Sequence, residues 1–266
     1  MDAVVLAGGG VEPQDPLYDY TQGRPKALLD IAGKPMLQWV LDALEAAPSV
    51  ERLIVVGLDA LTGFQAAKMS SLLPGQGGLL PNILAGLREV RRLNPTAEYT
   101  LLVSGDIPGI TAEMVEWVIA HALDGEPFDL AYLVVPREVI ERRFPASRRT
   151  YLRLKDTEVC GGDMQVVRTS LAETHTEIWE RLIAARKNPL RQAQILGWDL
   201  VVKLLFRQLT VDEAVRLAAR RLGVRGKLLL SPYAELGMDV DKPHQVELMR
   251  QALSARGPAS PEASGG

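Results

Sequence analysis

The chain has 266 residues, 47% of them apolar, enough to bury the core of one large domain or two modest ones. A net charge of -3 argues against a protein whose main business is coating nucleic acid. The single cysteine, Cys160, excludes an internal disulfide; three scattered histidines, His121, His175 and His244, lack zinc-ligand spacing; and the short N-terminal apolar run has no basic stretch before it, so a reducing cytoplasm is expected, with no export signal or membrane span.

Residues 3–7 form an unbroken apolar run closed by Gly8, Gly9 and Gly10, as expected of a strand buried on both faces. Runs of the same character recur at 53–56, 100–103 and 130–135, and amphipathic segments at 36–47 and 79–93 separate the first three. This βαβα order predicts an α/β fold with a mainly parallel sheet and helices on both faces. Crossover handedness then sets the loops after the strands along one edge, where open α/β sheets bind ligands. Beyond residue 146 the alternation stops. Short strand-like pieces at 150–154 and 164–167 precede a long helical stretch, 176–222, which Pro189 and Gly197 divide into three predicted helices. Within it Thr210 and Glu213 have capping-box spacing, and Gly223 stands where a C-terminal cap belongs. A strand at 227–230, an acidic turn from Asp239 to Pro243 and a helix to about Ala255 follow, and residues 256–266 form a tail with no packing signal.

Glycines directly after a buried strand allow a sharp turn and let backbone N–H groups approach a phosphate or base, or they merely mark a tight strand exit. Pro13 and Pro16 keep the chain after Gly10 out of a helix, which excludes the dinucleotide fingerprint, and GRPKA lacks the G-K-[ST] ending of a Walker loop. Lys26 offers an ammonium that can neutralise a polyphosphate, with Arg24 placed to share that work; the alternative is two solvated surface cations. In SGDIPGIT, Asp106 ends a buried strand on the ligand edge, where a carboxylate suits Mg²⁺ or else closes a turn before a helix capped by Thr111. Asp239 and Asp241 are either a second magnesium ligand or N-cap residues.

Taken together, VVLAGGG, GRPKALLDIAGKPML, LLVSGDIPGIT and GMDVDKP resemble the nucleotidyltransferases with a GT-A-like, Rossmann-type fold, in particular the molybdenum cofactor guanylyltransferase-like group, over residues 1–170 and 227–255. The resemblance implies an enzyme that moves a nucleoside monophosphate from a triphosphate to an acceptor phosphate or hydroxyl, releasing pyrophosphate with the help of Mg²⁺. It implies that Leu6, Ala7, Gly8, Gly9 and Gly10 bind base and phosphates with Gly77, Gly78 and Asn82, and that Lys26 and Arg24 contact the phosphates. Lys26 and Asp106 become the catalytic pair, Asp106 with Asp241 or Asp239 the metal ligands, and Gly162 and Asp163 neighbours of the acceptor. Two departures stand out: the loop between Gly9 and Lys26 is longer than the family's compact one, and its R-M-G core is missing. Residues 171–226 match nothing in the family core and form a C-terminal helical insertion, a cap or dimerisation subdomain. Residues 181–227 hold eleven Lys or Arg against three acids, a local +8 that leaves -11 for the rest. An anionic small-molecule acceptor, a twin subunit or a membrane surface are its expected partners, not nucleic acid. Two rival functions share these residues: a sugar transferase consuming a nucleotide-sugar, and a nucleotide-binding regulatory protein without catalysis.

Overall fold

The computed structural model describes residues 1–9, 12–59, 63–174, 177, 179–181 and 197–255. In chain order these form β1 (Asp2–Leu6), α1 (Tyr18–Thr21), β2 (Asp30–Ile31), β3 (Lys34–Pro35), α2 (Met36–Ala46), β4 (Arg52–Val56), β5 (Met69–Leu73), α3 (Leu79–Leu93), β6 (Tyr99–Ser104), α4 (Ala112–Leu123), β7 (Leu130–Pro136), α5 (Arg137–Arg143), β8 (Leu152–Arg153), β9 (Glu158–Gly161), β10 (Met164–Arg168), α6 (Trp198–Leu205), α7 (Val211–Arg221), β11 (Gly226–Leu230) and α8 (Pro243–Ser254). The main sheet runs β5-β4-β1-β6-β10-β7, with β11 on the other edge of β7. Strand β9 pairs with β7 just ahead of β10, and β8 forms a short hairpin with β9.

Side-chain alternation builds the layers. Ala3 and Val5, Leu53 and Val55, Leu101 and Val103 face one core with α2 and α4; Val4, Ile54, Val56 and Leu102 face the other, beneath α3. Both faces of the central strands are therefore apolar, which is why these segments read as continuous runs. Helix α3 comes close to the sheet because residue 86 is glycine: a Cβ there would overlap Val4.

The α/β expectation, with helices on both faces, is met around a parallel core, β5-β4-β1-β6. Strand β10 runs antiparallel between β6 and β7, so the complete sheet is mixed. Strand β5 was not expected, because Ser70 and Ser71 interrupt the apolar signal. The expected strand at 150–154 shrinks to the two residues of β8. Of the three helices expected in 176–222, α6 and α7 are present, and the remaining stretch lies largely outside the described residues. The capping box on α7 is formed, with Thr210 N donating to Glu213 Oε2 at 2.8 Å and Glu213 N to Thr210 Oγ1 at 3.2 Å.

The described residues of the segment expected as an insertion, 171–226, join the fold rather than hang from it. Leu171, Ala172, Ala219 and Val224 belong to the core under α3. Part of its positive charge is spent on structure: Arg225 grips Asp129 at 2.8 Å, Arg221 pairs with Asp199, and Arg216 with Asp212. With Arg225 as the leading cause, the Asp129 carboxyl is held down at about 2. Among the described residues, no helix is long and apolar enough to cross a membrane.

Candidate active site

Register alone assembles the site. Leu6 pairs with Val56 on one side and Ser104 on the other, so the residues after β1, β4 and β6 leave the sheet together. Because β10 is antiparallel and starts opposite Val103, its beginning, not its end, lies at that edge, and Gly162 and Asp163 arrive there. Ser104 N donates to the Asp163 carbonyl at 2.9 Å, and Gly105 N to the Leu6 carbonyl at 2.9 Å. The segment after β11 closes over the same place: Val240 N donates to the Asp106 carbonyl at 3.0 Å, which sets Asp239 and Asp241 on either side of that contact.

Lys26 is the centre of the cluster. Its ammonium donates to Asp106 Oδ2 at 2.8 Å and to Asp241 Oδ1, while Ser104 Oγ fixes the second Asp106 oxygen, Oδ1, at 2.7 Å. Burial alone would push the ammonium's pKa down; Asp106 and Asp241 outweigh it, and the pKa stands above its ordinary value. Lys26 is therefore a permanent cation, held where the β1 turn passes: a Cβ on Gly9 would lie 4.0 Å from its stem. Two carboxylates converging on one cation at a strand edge are a hard oxygen donor set that also fits Mg²⁺, which would draw its remaining ligands from phosphate and water.

The glycine turn is shaped by close packing. Gly57, after β4, has φ +114°, and a Cβ there would overlap the N and Cα of Gly8; a Cβ on Gly8 would in turn lie 2.8 Å from Asn82 Nδ2. Asn82 is buried on the first turn of α3 and accepts from Gln76 N at 2.7 Å. Gly77, at φ +80°, and Gly78 lead into that turn, so the N-terminal end of α3 borders the glycine loop. Ala7 N is used by the sheet, donating to the Val56 carbonyl at 2.8 Å. Gly10 lies outside the described residues.

The sequence-derived set thus divides. Gly8, Gly9, Lys26, Asn82, Asp106, Asp163 and Asp241 share one edge. Arg24 does not join them: it is exposed, its Nε donates to the Thr21 carbonyl at 3.4 Å, and no hydrogen bond or ion pair ties it to the cluster among the described residues. Asp239 turns to Arg149, forming a half-buried ion pair, whereas Asp241 meets Lys26. Neither aspartate caps the last helix, whose N-cap is Lys242, without a side-chain cap bond. Arg149 and Gly57 were missed. Arg149 looked like any cation in the run RRFPASRRT, whereas Gly57 follows a buried strand just as Gly8 does and carried the same signal. The long loop before Lys26 is anchored by Leu17, which is 1% exposed and whose N–H is held by Asp15 Oδ1 at 2.8 Å.

Asp163 has an uncommon setting. Its Oδ2 is buried without a hydrogen-bond partner, and burial, with Asp106 adding to it, pushes its pKa up to about 7. The folded-state pKa exceeds the ordinary value near 4, so this group favours folding at low pH and that contribution is lost as pH rises from about 4 through 7. Asp163→Asn is expected to stabilise the magnesium-free protein by on the order of 2 kcal/mol at pH 8 and by almost nothing at pH 4, checked by thermal melts of both proteins across that range. Behind Asp163, on the α3 side of the sheet, lies an apolar cavity of about 380 Å³ that reaches Leu6 and Ser104 at the strand ends.

Comparison with known proteins gives this edge a family. A solved structure described as a hypothetical transferase from Thermus thermophilus is 36% identical, covers 92% of this chain and 98% of its own, and superposes with a TM-score of 0.78. A molybdenum cofactor guanylyltransferase of Rhizobium meliloti (strain 1021) is 33% identical over 109 residues, which are 40% of this chain and 45% of that protein. A 2-C-methyl-D-erythritol 4-phosphate cytidylyltransferase, also of Thermus thermophilus, is 15% identical with a TM-score of 0.55 over 95% of this chain and 98% of its own, and shares the fold. The chain spans between 24% and 45% of the length of the curated relatives it matches. The family model described as MobA-like NTP transferase domain matches residues 3–182, and the chain belongs to that family.

Proposed function

We propose that the protein is a magnesium-dependent nucleotidyltransferase. The acceptor oxygen bonds to the α-phosphorus of a nucleoside triphosphate, the bond from that phosphorus to the β-phosphate bridge breaks, and pyrophosphate leaves. The observation that carries this reading is the Lys26 ammonium gripped by Asp106 and Asp241 beside the Gly8–Gly9 turn. A relative named as a guanylyltransferase matches part of this sequence, and a solved structure named as a cytidylyltransferase shares this fold. Asp106 and Asp241 would hold Mg²⁺, which when bound neutralises phosphate charge and orients the leaving group. The chain's own contributions are positioning and charge. Gly8, Gly9 and the first turn of α3 let the backbone approach the nucleotide, Asn82 braces that loop, and Lys26 turns its charge to the phosphates as negative charge grows in the transition state. Asp239, held by Arg149, supports the loop that carries Asp241. The compartment that suits a lone, buried Cys160 is the reducing cytoplasm. A surface for a second copy or a membrane would suit α6 and its C-cap, where Trp198, Val202 and Phe206 are exposed at four-residue intervals.

A thermal-shift screen of the common triphosphates, with and without magnesium, tests the donor half of this reading. A true donor at about 100 times its Kd stabilises by about 2.7 kcal/mol, and only with the metal. Absence of any magnesium-dependent shift overturns the proposal. A shift with nucleotide-sugars and release of a nucleoside diphosphate favours a sugar transferase; binding with no pyrophosphate formed against phosphate and alcohol acceptors favours a regulatory protein.

A further inference from the structure

The cavity behind Asp163 has the wrong chemistry for a phosphate. Its walls are aliphatic and aromatic, with Leu80, Ile83 and Leu87 of α3 facing Leu102 and Val167 of the sheet and Trp179 beyond them. No lysine, arginine or histidine is among its described lining residues, so an anion entering it would lose its hydration and gain no cation. Most of the polar groups at its sheet-edge end are already committed. Gln165 Oε1 accepts from Leu133 N at 2.6 Å while its Nε2 donates to the Gly162 carbonyl at 2.7 Å, and Ser104 donates to Asp106. The Trp179 indole N–H is likewise shared between the carbonyls of Leu171 and Thr174, both at 2.9 Å. What remain among the described residues are the Tyr132 hydroxyl and Asp163 Oδ2, the latter a buried acceptor without a hydrogen-bond partner. A buried acceptor calls for a ligand that brings an O–H or N–H, and the walls call for a ligand whose body is apolar.

We infer that this cavity binds the acceptor, and that the acceptor is an apolar alcohol: an uncharged aliphatic chain or ring lies under α3, and its hydroxyl donates to Asp163 Oδ2 at the strand ends. This assignment rests on the nucleotidyl-transfer reading and narrows its acceptor from phosphate or hydroxyl to hydroxyl. In the transfer the hydroxyl oxygen bonds to the α-phosphorus, the bond to the departing pyrophosphate breaks, and the proton leaves along the hydrogen bond toward Asp163 and on to water. The polar end of the cavity and the Lys26–Asp106 pair meet at Ser104, which lines the first and is bonded to the second, so a hydroxyl there faces the reacting phosphorus.

Calorimetric titration of the full chain with 1-alkanols from hexanol to decanol, and with 1-octyl phosphate, tests it. Affinity is expected to tighten about fourfold for each added methylene until the cavity is full, and 1-octyl phosphate to bind at least about tenfold more weakly than 1-octanol. Filling the cavity with Ile83→Trp or Leu130→Trp should weaken 1-octanol about tenfold or more while magnesium-dependent triphosphate binding stays intact. Two variants at separate positions and the wild-type chain-length series keep the test independent of any one substitution's folding. No dependence on chain length, equal or tighter binding of the phosphate, or wild-type octanol affinity in both tryptophan variants overturns the inference. Chain-length-dependent binding with no pyrophosphate released from any triphosphate upholds the apolar site and overturns the transfer reading instead.

Discussion

Alanine in place of Lys26, or of Asp106, abolishes nucleotidyl transfer: kcat/KM is expected to fall by about a thousandfold or more, as when a donor aimed at developing transition-state charge is lost. Both residues lie outside the main core clusters, so the fold should survive, although Lys26→Ala leaves Asp106 and Asp241 without their shared cation and its melting temperature is expected to fall. The comparison that gives this result meaning is Lys34, eight positions along in the same motif. Its ammonium pairs with Asp42 and sits 4.2 Å from the Trp39 ring centroid, a packing role that leaves the site untouched. Lys34→Ala should keep its rate within about twofold, since an exposed ion pair contributes little. Pyrophosphate release by the three variants, measured with the donor found in the screen, decides the matter; a wild-type rate in either site variant removes Lys26 and Asp106 from the chemistry.

Gly57→Ala carries the second large effect, and it acts on stability and binding together. The backbone there sits at φ +114°, which L side chains rarely adopt, and the new methyl would overlap Gly8. Strain and overpacking together are expected to cost about 3 kcal/mol, a fall in Tm of roughly 6–12 °C for a chain of this size. Gly33→Ala separates the two causes, since Gly33 has φ +84° and nothing within 4 Å of a Cβ; it should lose only about 1 kcal/mol. Because relief of the Gly57 clash must displace Gly8, triphosphate affinity should drop in Gly57→Ala and hold in Gly33→Ala. Equal melting temperatures for the two variants would show that contact with Gly8 does not matter.

The parallel half of the fold and the heart of the site were legible because they rest on local rules. Continuous apolar runs announce strands buried on both faces, and a residue at the end of a parallel strand must reach the ligand edge, so Gly8 and Asp106 could be placed there from order alone. Asp239 and Asp241 could not be told apart in that way. Two aspartates in extended chain differ only in what faces them, and Arg149, which claims Asp239, comes from a distant segment with no pattern of its own. The same limit hid the cavity: its residues come from β1, α3, β6, β7 and β10 and from positions 171 and 179, and no linear motif spells out a shape made by so many separate segments. Strand β5 was lost to a weaker effect, two serines at a sheet edge where burial is incomplete and apolar side chains are not required. Arg24 shows a different limit: its charge was visible in the sequence, and the direction of its side chain was not.

The place of β10 between β6 and β7 also orders events in time. Strands β1, β4, β5 and β6 are complete by residue 104, and their pairings need nothing that comes later. Strand β7 exists by residue 136 but cannot join that layer until the segment 164–168 turns back and wedges beside it, with β11 still some sixty residues from emergence. During synthesis, therefore, one half of the active-site edge is shaped early while Asp163 and Asp241 are delivered late, and Lys26 gains the second of its acid partners only after β11 has been made.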